Sequence, residues 1–90
     1  MTLELKLALQ LLINNGVVSK NDIDNARCET QVVDDVCLHR VTGLSNDVTL
    51  SMYNWWYRHS NLSPLCGYMG LHINDNALTI TTSKLNIGEV

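Results

Sequence analysis

The segment Leu3-Glu4-Leu5-Lys6-Leu7-Ala8-Leu9-Gln10-Leu11-Leu12-Ile13 constrains this chain more than any other. Its leucines alternate as in a strand, yet Leu5, Ala8, Leu9 and Leu12 also recur at helical spacing. Residue type decides between the two. Leu, Ala, Lys, Glu and Gln are strong helix formers, and β-branched residues are scarce here. Thr2 can cap the start, and Asn14-Asn15-Gly16 can end the helix. Such a helix is apolar on more than one face, so it must be covered on more than one side. It cannot cross a membrane, because eleven residues containing Glu4, Lys6 and Gln10 fall short of the roughly 20 apolar residues a span needs.

The remaining pattern predicts two more helices and a hairpin. Ser19 and Asp22 have capping-box spacing, with Val18 and Ile23 at the flanking staple positions. Ile23, Ala26, Thr30, Val33, Cys37 and Val41 then follow spacings of three and four, predicting a helix to about Arg40, weakest near Cys28-Glu29-Thr30 and ended by Gly43. A third helix is expected from about Asn46 to His59. Ser45 or Asn46 caps it, Asp47 suits its first turn, and Arg58 and His59 suit its last. Ser63-Pro64 stops it. Cys66 to Gly70 reads as a loop. Leu71-His72-Ile73 and Ala77 to Thr82 read as strands joined by Asn74-Asp75-Asn76, residues that tolerate tight hairpin turns. The expected fold is therefore α+β and mainly α: three helices followed by a C-terminal β-hairpin, winged-helix-like in outline.

Ninety residues make one small domain over 1–90, with 83–90 expected to fray. Apolar residues are 46% of the chain and charged ones 17%, a balance that favours a folded core over disorder. That core is thin at this size, and the surplus of apolar surface on the first helix suggests a homo-oligomer with Leu5, Leu9 and Leu12 near the contact. The net charge is −3, and the six Lys and Arg form no run. This argues against nucleic acid and against anionic membranes. Three cysteines cannot all pair within one chain, and the N-terminus lacks a basic stretch followed by a cleavage site. A reducing cytoplasm is the expected compartment.

The chemistry-bearing residues form no catalytic or metal motif. Cys28, Cys37, His39, His59, Cys66 and His72 lack zinc-site spacing. On a helix, Cys37 and His39 would point about 200° apart, and Asp34 and Asp35 would diverge by about 100°. Cys66 beside Gly67 has no assignable base. We expect no catalytic residue, no cofactor and no metal.

The distinctive feature is aromatic. Tyr53, Trp55, Trp56, Tyr57 and Tyr68 are the whole aromatic set, and three consecutive helical aromatics cannot all face one core. Trp56 lies in line with Val48 and Met52 and is expected to be buried. Leu50, Tyr53, Asn54 and Tyr57 line another side. Trp, Tyr and Arg are the residues enriched at binding hot spots, so Tyr53, Tyr57 and Arg58 are the candidate interface. The expected function is that of a small non-enzymatic regulator or inhibitor, of the phage accessory type, acting on another protein. The alternative is a winged-helix-like DNA-binding transcriptional regulator. On the expected third helix only Arg58 and His59 could meet phosphate, and Asp47 opposes them.

Overall fold

The computed structural model describes residues 1–60, 69–75 and 77–85. Helix α1 spans Leu3–Asn14 and the one-turn helix α2 spans Lys20–Asp24. Strands β1 (Arg27–Val33) and β2 (Val36–Thr42) form a hairpin. Helix α3 (Asn46–His59) leads to a second hairpin, β3 (Met69–Asn74) and β4 (Ala77–Ser83). The four strands form one antiparallel sheet in the order β1-β2-β4-β3.

This overturns the arrangement of three helices followed by a hairpin, and with it the winged-helix outline. The expected second helix stops at Asp24, and residues 27–42 form two strands of a sheet that the C-terminal hairpin completes. The capping box itself is present. Asp22 N–H donates to Ser19 Oγ at 3.0 Å, and Ser19 N–H donates to Asp22 Oδ2 at 3.4 Å. A good start does not extend a helix. The stretch from Thr30 to Thr42 is rich in Thr and Val, which lose side-chain freedom in a helix and suit a pleated surface. Asp34 and Asp35 are not on a helix at all. They are the two-residue loop closing the pair Val33–Val36, and Asp34 has φ 55°, a left-handed conformation that Asp tolerates better than most residues.

The other elements lie where the sequence places them. Leu5 N–H donates to the Thr2 cap at 3.2 Å, and α1 ends at Asn15, with Gly16 at φ 71°. Val48 N–H donates to the Ser45 cap at 3.2 Å. Met69 and Gly70, expected in a loop, begin β3. The rest of that loop, from Cys66, and the Ser63-Pro64 stop lie outside the described residues. So does the tail beyond Leu85. Of the segment from residue 83 expected to fray, Lys84 N–H donates to Asp35 O at 2.7 Å and Leu85 N–H to Glu4 Oε2 at 3.2 Å. No described helix is long and apolar enough to cross a membrane.

The helices cover one face of the sheet. Directly opposed residues in an antiparallel pair share a face, so the register puts Cys37, His39 and Val41 of β2 with Thr82, Ile80 and Leu78 of β4, and then with Met69, Leu71 and Ile73 of β3. All but Ile73 are buried beneath Leu5, Ala8, Leu9 and Leu12 of α1 and Met52 of α3. Removing a Leu or Ile side chain from water is worth about 1.5–3 kcal/mol, so this layer is the main source of stability. The cover thins along β1. On its helix-facing side Cys28 is half-buried, Thr30 is exposed, and Val32 is 51% exposed.

Candidate interface on helix α3

Helix α3 divides into an inward line and an outward line. Met52 and Thr49 are buried against the sheet. Val48, Tyr53, Trp55 and Trp56 pack at the margin of the core and are half-buried. Trp56 reaches across to β3, where its Nε1–H donates to Met69 O at 2.9 Å. Burial does not separate Trp56 from Trp55, since each is half-buried. Instead the indole N–H finds a backbone partner, as a partly buried Trp usually does. Trp55 stacks on His59 at 4.6 Å between ring centroids, and His59 Nδ1–H donates to Trp55 O at 2.7 Å.

The outward line runs Leu50, Tyr53, Asn54, Tyr57, with the spacing of one helix face. Leu50 is 50% and Tyr57 65% exposed. Tyr53 joins this line to the core, stacking on Tyr57 at 6.2 Å and tilting against Trp56 at 6.0 Å. Between this line and the end of β3 lies a shallow, open recess lined by Leu50, Tyr53, Asn54, His72, Ile73 and Asn74. Arg58 is exposed beside it, with its Nε–H directed to Asn54 O at 3.4 Å.

The predicted contact residues thus separate into two groups. Tyr53, Tyr57 and Arg58 lie together at one surface. Leu5, Leu9 and Leu12 are fully or nearly fully buried in the protomer's own core, because the sheet takes the inward face of α1. The apolar residues α1 leaves exposed are Leu3 and Leu7. Sequence reasoning set Leu50 on the Tyr57 side without naming it as a contact, and missed Ile73. Strand alternation could have placed Ile73 on the helix-facing side, but only the position of α3 leaves it at the rim.

A second cluster is polar and internal. His39, fully buried, bridges three strands, with Nδ1 2.9 Å from Thr30 Oγ1 and Nε2 2.9 Å from Thr82 Oγ1. Burial holds its pKa below the ordinary 6.5, against the attraction of Glu4. The neutral ring donates through one nitrogen and accepts through the other, and each hydroxyl supplies the complement. Glu4 is held below the ordinary carboxylate range by its own backbone N–H and that of Leu85, with help from Cys37 Sγ–H at 3.8 Å. Cys37 and His39 share a face of β2, which corrects the divergence expected on a helix, but both imidazole nitrogens already have partners. Among the described residues no three His, Cys, Asp or Glu side chains gather as a metal site. Burial raises the pKa of the Cys28 thiol, which suits a packing role over a nucleophilic one.

Together these features define a class of architecture: two helices and a short third layered on one face of a four-stranded antiparallel sheet. Compared with protein-family models, with curated proteins and with solved structures, the chain matches none.

Proposed function

We propose that this protein acts by binding another protein, as a small non-enzymatic regulator or inhibitor, through the outward face of α3. The observation that carries the reading is the pair of exposed side chains Leu50 and Tyr57, joined by the half-buried Tyr53, beside the recess at Ile73 and Asn74. Exposed large apolar side chains in line, next to a concavity and an arginine, have the composition of an interface centre. The recess carries the imidazole of His72 but no carboxylate, thiol or second imidazole among its lining residues to pair with it, which suits a side chain of a partner better than a reacting substrate. A cytoplasmic setting remains part of this reading, on the cysteine count alone.

The test is site-specific photocrosslinking in the native cell. A crosslinker replacing Tyr57 should trap one discrete partner. A crosslinker at Gln10, on the exposed side of α1, should not. Leu50→Ser and Arg58→Ala should reduce the Tyr57 adduct while leaving the melting temperature nearly unchanged. Adducts equal in kind and amount at positions 57 and 10 would refute the proposal.

A further inference from the structure

We infer that the outer edge of β1 is a self-association site, at which a second copy of this chain lays its own β1 antiparallel and extends the sheet to eight strands. The site is separate from the α3 surface and does not depend on it. Among the described residues, no strand pairs with that edge. An unpaired edge presents a row of N–H and C=O groups, and folded proteins ordinarily guard it with Lys, Pro, a bulge or a covering element. The strand Arg27-Cys28-Glu29-Thr30-Gln31-Val32-Val33 has no Lys, Pro or Gly, and its two charged residues, Arg27 and Glu29, are of opposite sign, so they do not repel a strand of the same sequence as a run of Lys would. Its register with β2 is unbroken over seven residues, and beyond Cys28 its residues are exposed. Val32 and Val33 remain about half-exposed.

The sequence of the strand selects a second copy as the occupant. About a two-fold axis at Thr30, Arg27 lies opposite Val33 of the second copy, Cys28 opposite Val32, and Glu29 opposite Gln31. All seven residues are then paired, no like charges are opposed, and each Glu29 carboxylate meets an amide donor. Arg27 lies diagonally across from Asp35 of the second copy, within reach for a long side chain, so opposite charges meet at both ends. On the helix-facing side, Cys28 and Val32 of each copy lie opposite one another where the protomer covers Cys28 only in part and leaves Val32 half-exposed. An axis at Glu29 would oppose two carboxylates and is disfavoured. A seven-residue strand pair is smaller than a standard protein interface, so the dimer is expected as a concentration-dependent equilibrium.

Sedimentation equilibrium of the full chain, over about 1–500 µM given that small interface, reads the outcome. The 10.1 kDa chain should shift toward twice that mass. Gln31→Glu would set carboxylate against carboxylate twice and should weaken the dimer roughly two- to thirtyfold. Gln31→Lys should strengthen it by a similar factor. Gln31 is exposed, so neither change should alter the melt of the monomer. The double variant Glu29→Cys/Gln31→Cys should form a disulfide-linked dimer on mild oxidation, while either single variant should not exceed the unmodified chain. A monomer throughout the range would overturn the inference. So would a dimer that answers alike to Gln31→Glu and Gln31→Lys, or one that the double variant fails to cross-link.

Discussion

The two hairpins of this protein share a plan and differ in surroundings. Each has strands of six or seven residues, and in each an Asp with positive φ follows the first strand, Asp34 at 55° and Asp75 at 47°. The β3–β4 hairpin lies beneath the helices, with Met69, Leu71, Leu78, Ile80 and Thr82 buried. The β1–β2 hairpin is buried only along β2, at Cys37, His39 and Val41, while Val32, Val33 and Val36 stay exposed. Local chain geometry and burial are therefore separate contributions, and the molecule presents the first with and without much of the second.

The largest expected effect tests that separation in the side chains. Ile80→Ala removes a fully buried chain from the centre of the sheet and should cost about 2–5 kcal/mol, the range for large-to-small changes in a core. Val36→Ala, in the first hairpin and 44% exposed, should cost under about 1 kcal/mol. Urea unfolding of both variants measures the contrast. Equal losses would mean that the first hairpin is held by contacts other than those of the helix layer.

The same contrast explains what was legible in the sequence. The second hairpin announces itself, because Leu71, Ile73, Leu78 and Ile80 alternate with polar residues around an Asn-Asp-Asn turn. The first does not. Only β2 carries buried alternation, through Cys37, His39 and Val41, and His39 is an unusual core residue. β1 is an edge strand with little cover, so its polar and apolar residues obey no burial pattern. Ile23, Ala26, Thr30, Val33, Cys37 and Val41 then fall on helical spacing by coincidence, extending a real capping box. The usable signals were the β-branched content from Thr30 to Thr42 and Asp34-Asp35 as a loop. At the candidate site, the caps and helical spacing set Leu50, Tyr53, Asn54 and Tyr57 along one side of α3, and the enrichment of Tyr and Arg at interfaces singled out Tyr53, Tyr57 and Arg58. The fate of Leu5, Leu9 and Leu12 depended on a sheet that the sequence had not disclosed.

His39 links the hairpins, and its titration gives the next effect. Thr82→Val leaves a buried ring nitrogen without its hydroxyl partner and should cost about 1–3 kcal/mol. Thr30→Val, on the exposed strand, should cost less, because water can replace that hydroxyl. Since the folded pKa of His39 lies below its ordinary 6.5, the unfolded chain binds the extra proton first as pH falls. Stability from this group is fully present above pH 6.5 and declines below it, until the folded pKa is reached. Glu4 is also depressed, and its contribution is lost as pH falls from the ordinary carboxylate range toward its lower folded pKa. Melting temperature should thus begin to fall near pH 6.5. His39→Gln, which can still bond both threonines, should remove the decline above about pH 5 and leave the Glu4 part. An unchanged pH profile in His39→Gln would assign the acid sensitivity elsewhere.

The smallest effect concerns the loops, where the hairpins are alike. Left-handed backbone costs an ordinary L-residue roughly 1–2 kcal/mol, and Asp escapes part of this through local hydrogen bonding. Val is β-branched and gains no such relief, so Asp34→Val and Asp75→Val should each destabilise by about 1–2 kcal/mol. Glycine adopts positive φ without strain but loses more entropy on folding. Asp34→Gly and Asp75→Gly should therefore lie within about 1 kcal/mol of the parent, because the two terms oppose each other. What sharpens the comparison is the equality of response between positions 34 and 75. Loop strain depends on local backbone angles, so two Asp residues with such similar φ should respond alike even though their strands are buried so differently. If Asp75→Val costs several times more than Asp34→Val, the second loop is held by its buried strands and cannot relax. If the costs match, loop strain and burial add independently in this fold.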